Sequence, residues 1–499
     1  MKKYFLSIAI IFVIITFFLG FIEIDKSSTT NSDSQQTFSY GIDKISEELK
    51  SVTNLSKRDE DIICAVSKGL VSKDINNKIL PSLSGDITES NDGIQYEFKI
   101  KDDVFWSDGS KITSNDIVVF FKELLKEEDP ENIEALLDVY GAREFKEEKV
   151  TFETGVAIKG TDNSVIIRLN KKNDNFLSEL SKPQYRLRKY LIMWENIQKN
   201  YDKLIYSGDY KIDYMDDSNI KLKRNNEAPL GIMNNINILK DDSVELSMAS
   251  FEVKQRDIVI GPPESELNKL SSEGKLITIP KMNATYLYIN NKDNYISIQG
   301  RREIYKDVYK AIETYQTSND KEFELAEGSY FREDKDDLTK LQARKVSSNK
   351  ESEWTKPNIL TLLCKDNNEN RILCRSIGKW FEENSDITIR YSLVKEDEFN
   401  DQELQKRYDM VLINNYANQI DKQHFYLNFK EYFTELQSKI FESPNIENNS
   451  SIYSQLEESM FNNYNILPLV FYNENIALSN KISTLEFDGN GNIDFTTVK

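Results

Sequence analysis

Few residues in this 499-residue chain could do acid–base, nucleophilic or metal chemistry. The only histidine is His424, so neither a histidine metal cluster nor a His-Glu-x-x-His zinc motif can be built. A Ser-His-Asp triad would need the same residue, and no Gly-x-Ser-x-Gly accompanies it. Acidic pairs such as Asp102-Asp103 suit glycoside hydrolysis, but such pairs are expected by chance among 83 acidic residues. We therefore predict no catalytic residue and no metal site, and a protein that is not an enzyme.

Nucleotide and nucleic-acid binding are disfavoured as well. The chain contains neither Gly-x-x-x-x-Gly-Lys nor Gly-x-Gly-x-x-Gly, the usual phosphate-binding signatures. Its 83 acidic and 64 basic residues give a formal net charge of -19, which repels phosphate backbones. This acidity indicates a solvated surface that keeps the protein soluble. We expect no cofactor and no nucleic-acid partner.

The three cysteines, Cys64, Cys364 and Cys374, include no Cys-x-x-Cys and predict neither a disulfide framework nor a zinc knuckle. Cys364 ends an apolar run, and Cys374 follows a polar stretch. An oxidising exterior could join these two residues, and two unpaired buried thiols fit the pattern at least as well. The sequence leaves both alternatives open.

The N-terminus predicts export. Met1-Lys2-Lys3 precedes an uncharged apolar run from Tyr4 to Ile22, which is close to the ~20 residues needed to cross a bilayer. The apolar region of a secretory signal is usually about 7–15 residues long, no small-residue cleavage site follows here, and no cysteine lies nearby to take a lipid. We therefore favour an uncleaved single-pass anchor in the cell membrane over a cleaved signal. Both alternatives place the body on the extracytoplasmic side.

The body alternates short strands with amphipathic helices, which is typical of a mixed α/β protein. Residues 93–125 show this best. An alternating strand at Ile94–Ile100 is followed by a turn at Ser107-Asp108-Gly109 and by a helix N-cap of the form Thr-x-x-Asp at Thr113. This segment predicts a strand, a turn and then a helix.

The chain is too long for one ordinary domain. An apolar strand at 257–260 ends in Gly-Pro-Pro, where proline stops both helix and sheet, so we expect the chain to cross between two lobes there. The charged, weakly periodic stretch 327–357 is predicted to be a long excursion or a poorly packed segment. The predicted divisions are an N-terminal anchor or uncleaved signal at 1–24, a flexible linker at 25–37, an N-terminal lobe at 38–256 with an inserted subdomain at about 66–185, a second lobe at 257–468, and a C-terminal return to the first lobe at 469–499.

A series of motifs runs through the body in one order. They are Pro81-Ser82-Leu83, Asp92-Gly93 with Tyr96 and Phe98, Trp106-Ser107-Asp108-Gly109, Thr113 with Asp116, Tyr140 to Phe145, Ser207 to Ile212 with Arg224-Asn225, Thr285 to Asn290, and Tyr408 to Leu412. In this order and spacing they resemble the family 5 extracellular solute-binding proteins, which are the oligopeptide- and dipeptide-binding components of ABC importers. The resemblance covers nearly the whole body, from about Phe38 to the end.

The resemblance implies a mixed α/β, periplasmic-binding-protein-like fold with two lobes joined by a hinge and a ligand cleft between them, in addition to the predicted N-terminal transmembrane helix. In this family a peptide lies extended with its main chain paired to protein main chain, so that many side chains are accepted. By position, the residues implied to face the ligand are Asn54, Leu55 and Ser56 in the first lobe and Asn414, Asn415 and Tyr416 in the second. The implied partners are an oligopeptide and ABC permease subunits, and we expect a monomer.

One position departs from the family's pattern. Many members carry an aspartate directly before the tyrosine to pair with the α-amino group of the peptide, and this chain has Asn415 there. Since a neutral amide supplies no charge, affinity for a free N-terminus should fall by ~1–3 kcal/mol, unless Asp421 compensates from the following loop. Two functions stay open: capture of oligopeptides for an ABC importer, and a non-importing scaffold that acts as a ligand sensor or interaction protein.

Overall fold

The computed structural model of the chain describes residues 37–226, 228–290, 295–316, 322–332, 338–348, 353–417, 422–443 and 450–499. The predicted anchor, most of the predicted linker and the predicted ligand contact Asp421 lie outside these ranges. Over the described ranges, no helix is both long enough and apolar enough to span a bilayer. The anchor therefore stays a prediction.

Strands and helices alternate along the described chain. The strands are β1 (Thr37–Ile42), β2 (Val71–Lys73), β3 (Ile79–Pro81), β4 (Ser84–Glu89), β5 (Gln95–Ile100), β6 (Ile158–Gly160), β7 (Ser164–Arg168), β8 (Tyr210–Met215), β9 (Asn219–Arg224), β10 (Asn235–Lys240), β11 (Ile258–Ile260), β12 (Leu276–Ile289), β13 (Phe323–Leu325), β14 (Ile359–Lys365), β15 (Thr388–Val394), β16 (Met410–Tyr416), β17 (Ile466–Leu478), β18 (Glu486–Phe487) and β19 (Ile493–Asp494). The helices are α1 (Lys57–Val66), α2 (Ser114–Glu127), α3 (Glu134–Leu137), α4 (Ala142–Lys146), α5 (Phe152–Gly155), α6 (Phe176–Leu180), α7 (Ile197–Asn200), α8 (Val244–Glu252), α9 (Glu264–Ser272), α10 (Ile298–Gln316), α11 (Leu338–Ser348), α12 (Asn368–Asn384), α13 (Glu396–Phe399), α14 (Gln402–Gln405), α15 (Lys422–Leu427), α16 (Glu435–Phe441) and α17 (Ser450–Asn462).

These elements form two compact units. The first comprises the described residues up to Ile258 together with Ser479–Lys499, and the second comprises Val259–Leu478. After β11 the chain turns at Gly261, whose φ of +61° lies in the left-handed region that glycine adopts without strain. Pro263 then directly precedes α9. The Gly-Pro-Pro sequence therefore ends a strand and starts a helix.

The first unit contains two main sheets. In one, β1 pairs in parallel with β10, and β9 and β8 continue the sheet in antiparallel order. In the other, β4, β5, β7 and β6 are antiparallel neighbours. The C-terminal segment joins this unit through Asp61, whose Oδ1 accepts hydrogen bonds from the Ile493 N–H at 2.9 Å and the Asn492 Nδ2 at 3.2 Å.

The predicted strand, turn and helix of residues 93–125 are confirmed. Tyr96 and Phe98 of β5 are buried on the face that packs with α2 in one hydrophobic core. The Thr113 side chain accepts from the Asp116 N–H, and the Asp116 carboxylate accepts from the Thr113 N–H at 2.9 Å. This capping box satisfies orphan donors at the start of α2, as the Thr-x-x-Asp spacing predicts.

The second unit is built on a mixed sheet whose described strands run in the order β15-β14-β16-β12-β17-β13. β15, β14 and β16 are parallel, whereas β16, β12, β17 and β13 are antiparallel. The helices α10 and α12 cover one face of the sheet, and α15 and α17 cover the other. Because both faces are covered, β14 and β16 carry continuous apolar runs at Leu362–Cys364 and Met410–Ile413.

The described part of the stretch 327–357 is not poorly packed, and that alternative of the prediction is wrong. Tyr330 and Phe331 are fully buried, and the Tyr330 hydroxyl donates to the Ile466 carbonyl at 2.6 Å. Residues 338–348 form α11. The prediction failed because the adjacent residues Tyr330 and Phe331 pack against elements distant in sequence. Such packing leaves no periodic pattern in a charged stretch.

The hydroxyl group of Tyr315, in α10, lies close to two carboxyl groups, one of which belongs to Glu264 at the start of α9. The Tyr315 hydroxyl lies 2.6 Å from Oε1 of Glu264 and 3.2 Å from Oε2 of Glu322. Burial, together with the negative charge of Glu264, raises the pKa of Glu322 to about 7, although the Tyr315 hydrogen bond opposes this. Glu322 therefore holds a proton in the folded protein at pH values where the unfolded chain has lost it.

We predict that this carboxyl makes stability fall with rising pH. The pKa of Glu322 is higher in the folded state than in the unfolded chain. The contribution of the protonated carboxyl to the free energy of unfolding is therefore complete below pH 4.5 and is lost as pH rises towards 7. The Glu322→Gln variant should lose this dependence, a difference of about 2 kcal/mol in unfolding free energy after allowance for solvent screening. Urea unfolding of both proteins at pH 4.5 and pH 7.5 measures it. Parallel pH profiles for the two proteins would contradict the assignment.

Candidate functional site

The predicted first-lobe contacts form a short extended link between a 3-10 turn and α1. The turn, Val52–Asn54, is closed by the Leu55 N–H, which donates to the Val52 carbonyl at 3.0 Å. Ser56 caps α1, because its Oγ accepts from the Asp59 N–H at 3.2 Å. For Asn54 the structure describes the backbone and not the side chain.

The peptide unit between Leu55 and Ser56 is the distinctive part of this link. Both residues are extended, with ψ values of 153° and 158°. Among the described residues, neither the Leu55 carbonyl nor the Ser56 N–H has a hydrogen-bond partner. Extended main chain with unpaired donors and acceptors is the feature that a second extended chain can pair with.

Buried charges hold the chain just before this link. Arg188 is 1% exposed and donates to the carbonyls of Leu49 at 2.6 Å and Lys50 at 2.8 Å. Burial lowers the pKa of Arg188 to about 10, so the guanidinium is still a cation at neutral pH. The Ser51 hydroxyl also lies 3.0 and 3.1 Å from the two carboxylate oxygens of Glu128. Because a buried acceptor left unpaired is costly, this network fixes the path of the chain.

The predicted second-lobe contacts lie at the end of β16, which extends beyond the part of the strand that pairs with β14. β14 pairs with β16 only as far as Cys364 opposite Leu412. On the other side, β12 stays paired with β16 as far as Asn283 opposite Tyr416. Beyond Leu412, β16 is therefore a strand with one neighbour and one edge that β14 does not cover.

The alternation of antiparallel hydrogen bonds tells which main-chain groups face this uncovered edge. The Ala417 N–H donates to the Met282 carbonyl at 2.7 Å, so Ala417 faces β12. Residues whose main chain faces β12 alternate along the strand. The main-chain N–H and C=O groups of Asn414 and Tyr416 consequently point to the edge away from β12.

A reciprocal pair of amides braces this edge from α12. The Oδ1 of Asn414 accepts from the Asn370 Nδ2 at 2.8 Å, and the Asn414 Nδ2 donates to the Asn370 Oδ1 at 3.2 Å. The Asn414 Nδ2 also donates to the Thr285 Oγ1 at 2.9 Å. Asn370 is fully buried and donates in addition to the Lys365 carbonyl at 2.9 Å. Asn414 therefore has a fixed side chain, and its main chain is held in register.

Asn415 is turned inward. It is 8% exposed, and its Nδ2 donates to the Phe425 carbonyl at 3.0 Å. Its Oδ1 accepts from the Tyr416 N–H at 2.8 Å and from the Asn428 Nδ2 at 2.8 Å. Since an amide oxygen has two lone pairs, both acceptor positions of Asn415 are occupied. This side chain braces β16 against α15 and already satisfies the Tyr416 N–H.

Two predicted ligand contacts remain, Tyr416 and Asp421. The Tyr416 side chain is 56% exposed and presents an aromatic ring beside the uncovered edge of β16. Asp421 lies outside the described residues. The structure thus brings Asn414, Asn415 and Tyr416 together on one strand end in the second unit, and it places Leu55 and Ser56 on one link in the first.

Two residues that support these segments were missed from the sequence. Arg188 lies in a basic stretch without periodicity, and no local signal marks it as buried. Asn370 had a partial signal, because Asn367 caps α12 by accepting from the Asn370 N–H at 2.8 Å, which is an Asn-x-x-Asn helix start. That pattern could have located the helix end but not its contact with Asn414.

Comparison with known proteins gives a consistent assignment. The family model described as bacterial extracellular solute-binding proteins, family 5 Middle, matches residues 78–434. A dipeptide-binding protein of Lactococcus lactis subsp. cremoris (strain MG1363) is 26% identical over 197 residues, which cover 38% of this chain and 35% of that protein. The match thus spans about a third of that relative's length.

Solved structures share the fold at low identity. The murein tripeptide-binding protein of Escherichia coli is 15% identical, with 93% of this chain and 99% of that chain covered and a TM-score of 0.60. A periplasmic oligopeptide-binding protein of Borrelia burgdorferi is 15% identical, with coverages of 90% and 96% and a TM-score of 0.62. NikA from Brucella suis in complex with Fe(III)-EDTA is 13% identical, with coverages of 93% and 99% and a TM-score of 0.68. The fold is therefore mixed α/β and periplasmic-binding-protein-like.

We predict that the amide pair stabilises the end of β16 measurably. Asn370→Ala removes three hydrogen bonds, one to the Lys365 carbonyl and two shared with the Asn414 amide, so the unfolding free energy should fall by about 1–3 kcal/mol. Asn368→Ala, at an exposed position two residues earlier in the same helix turn, is the matched control and should change the unfolding free energy by less than about 0.5 kcal/mol. Urea unfolding compares the three proteins. Equal losses in both variants would assign the effect to the helix and not to the pair.

Proposed function

Because the chain belongs to the family 5 bacterial extracellular solute-binding proteins, we propose that it captures oligopeptides outside the cell and delivers them to the permease subunits of an ABC importer. Membership of a solute-binding family accords with a protein that binds its ligand without covalent chemistry. The names of the relatives support a peptide ligand, since they include dipeptide-, tripeptide- and oligopeptide-binding proteins.

The observation that carries the proposal is the uncovered edge of β16. The Asn414 N–H and the C=O groups of Asn414 and Tyr416 point to that edge, which β14 does not cover beyond Leu412. The Tyr416 N–H already donates to the Asn415 Oδ1. An extended peptide can add there as a further strand through its own main chain. Recognition of this kind does not depend on the peptide's sequence, so we expect one protein to accept many side chains.

Asn54, Leu55 and Ser56 stay part of the proposal as a second set of main-chain contacts. Their support is the extended Leu55–Ser56 peptide unit, which has no partner among the described residues. Arg188 acts on this set as a positioning residue, because it holds the two carbonyls that precede the turn. The predicted ligand cleft between two lobes stays a prediction.

One specific observation favours a second function: the side-chain oxygen of Asn415 already accepts two hydrogen bonds. The donors are Tyr416 and Asn428, and Asn415 carries no charge to attract a peptide α-amino group. A scaffold that no longer holds a free N-terminus tightly would suit a sensor or an interaction protein better than an importer. A ligand of another class is also open, since NikA was solved with Fe(III)-EDTA on this fold.

The remaining proposals concern location. An extracytoplasmic body accords with membership of an extracellular family, and the apolar run of residues 4–22 would anchor that body to the membrane. The monomeric state and the permease contacts stay predictions as well. Each follows from the proposed transport role and is tested with it.

We predict that the purified full-length chain carries peptides. Native mass spectrometry should show a ladder of adducts that denaturation releases, and sequencing should find varied side chains at each ligand position. Added peptides should raise the melting temperature, and the rise should grow with the logarithm of the free peptide concentration above the Kd. An empty protein that no peptide library stabilises against heat would favour the sensor or interaction role.

We also predict that the ligand pairs through its main chain at β16. Asn414→Pro removes the N–H that faces the open edge and leaves the β12 ladder intact, whereas Asn414→Ala removes the same side chain and keeps the N–H. Affinity should be at least about tenfold weaker for the proline variant than for the alanine variant.

Modified ligands provide the same test with the protein unchanged, in case the proline variant folds poorly. Methylation of peptide nitrogens should abolish binding at alternate residues and be tolerated between them, because only alternate N–H groups of an extended strand face its partner. Calorimetric titration measures both series. Uniform tolerance of N-methylation would overturn main-chain pairing.

A further inference from the structure

Two buried cysteines lie against each other in the core of the second unit. Cys364 is the penultimate residue of β14, and Cys374 lies in the second turn of α12. Their sulfur atoms are 2.6 Å apart, and both residues are fully buried. Non-bonded heavy atoms prefer separations of about 3.5–4.0 Å, whereas a disulfide bond is about 2.05 Å long. The separation is therefore nearer to a covalent bond than to a packing contact.

The local fold directs the two side chains at each other. Two residues, Asp366 and Asn367, separate the end of β14 from the start of α12, which packs over the face of the sheet that Cys364 occupies. Cys374 lies on the same side of α12 as Ile377 and Phe381, which pack into that core with Leu362. The approach is therefore a consequence of the strand–turn–helix geometry and does not depend on a mobile loop.

We propose that Cys364 and Cys374 form a disulfide bond that ties the first turns of α12 to β14. In the reaction the two thiols lose two protons and two electrons, the Sγ–Sγ bond forms, and a disulfide-type oxidant is reduced to two thiols. Such oxidants act outside the cytoplasm, so closure in the cell rests on the extracytoplasmic location proposed above. All three cysteines are unbonded thiols in the structure, and we expect Cys64, in the first unit, to remain one.

Burial determines when the bond closes. It raises the pKa of the Cys364 thiol well above its usual range, and the neighbouring Cys374 raises it further. Because the thiolate is the reacting form, the raised pKa disfavours oxidation within the folded core, and burial of both residues keeps external thiolates from reducing the bond. The bond therefore forms while the chain is folding, and the native protein then protects it.

The bond also bears on the proposed peptide site. The helix that it fastens carries Asn370, which pairs with Asn414, and the Asn367 side chain caps its first turn. A crosslink seven residues into α12 limits how far this first turn can move away from β16. The disulfide thus holds the brace of the peptide-binding edge in place.

Alkylation and peptide mapping test the proposal. The full-length chain, exported by cells or refolded with oxidised glutathione, is denatured without reductant and treated with iodoacetamide. We expect one adduct per chain, on Cys64, and three after prior reduction. Trypsin should release a linked pair of peptides, residues 351–365 joined to residues 372–375, lighter by two hydrogen atoms than the sum of the free peptides. Three adducts without reduction in both preparations would overturn the proposal.

Variants serve as controls for the adduct count. Cys374→Ser should give two adducts without reduction, because Cys364 loses its partner, and Cys64→Ser should give none. Reduction should lower the melting temperature of the unmodified chain by roughly 5–10 °C. It should leave the melting temperature of a Cys364→Ala, Cys374→Ala double variant unchanged.

The two preparations separate this proposal from the proposed function. A bond that closes in the glutathione refold but not in the protein taken from cells supports the pairing and contradicts the extracytoplasmic location. A closed bond in a protein that binds no peptide supports the pairing and contradicts the transport role.

Discussion

The pairing of main-chain groups along β16 is the constraint on which the candidate site depends. A strand inside a sheet has its N–H and C=O groups satisfied on both sides, and each group left over needs another partner. β12 runs the full length of β16, but β14 stops opposite Leu412. β12 alone therefore holds the last residues of β16 in register, and β14 leaves their other edge uncovered. Since a slip of one residue would exchange the buried Asn415 with the exposed Tyr416, the covered faces of the sheet enforce that register.

The supports around this edge are neutral amides and not ion pairs. Asn414 and Asn370 exchange hydrogen bonds, and Asn415 is shared among Tyr416, Asn428 and Phe425. A buried amide with its hydrogen bonds made is much less costly than a buried carboxylate without a counter-ion. The arrangement fixes the strand firmly, and Asn415 contributes no charge to it. The proposed function therefore predicts broad ligand choice and weak attraction for a peptide N-terminus from the same residues.

The first unit supports its segment by different means. Arg188 and Glu128, both buried, hold the carbonyls and the hydroxyl of Leu49, Lys50 and Ser51. Hydrogen bonds to charged groups are stronger than those between neutral groups, and breaking one leaves a buried charge without its partner. Residues 52–56 belong to no strand, so hydrogen bonds from charged side chains hold the chain just before them, whereas the end of a strand is already positioned by its ladder.

The sequence by itself determined the features that depend on neighbouring residues. A single histidine excluded most catalytic constellations, alternation along Gln95–Ile100 and the Thr113–Asp116 cap defined local elements, and the ordered motifs indicated the family. Only the tertiary structure decided which distant residues meet. Asn370 and Asn414 are 44 residues apart in the chain, and Arg188 and Leu49 are 139 apart. Tyr330 is buried within a charged stretch, and the inward turn of Asn415 depends on α15. Such contacts arise when separate elements pack in one register, and packing between distant segments leaves no periodic trace in the residues on either side.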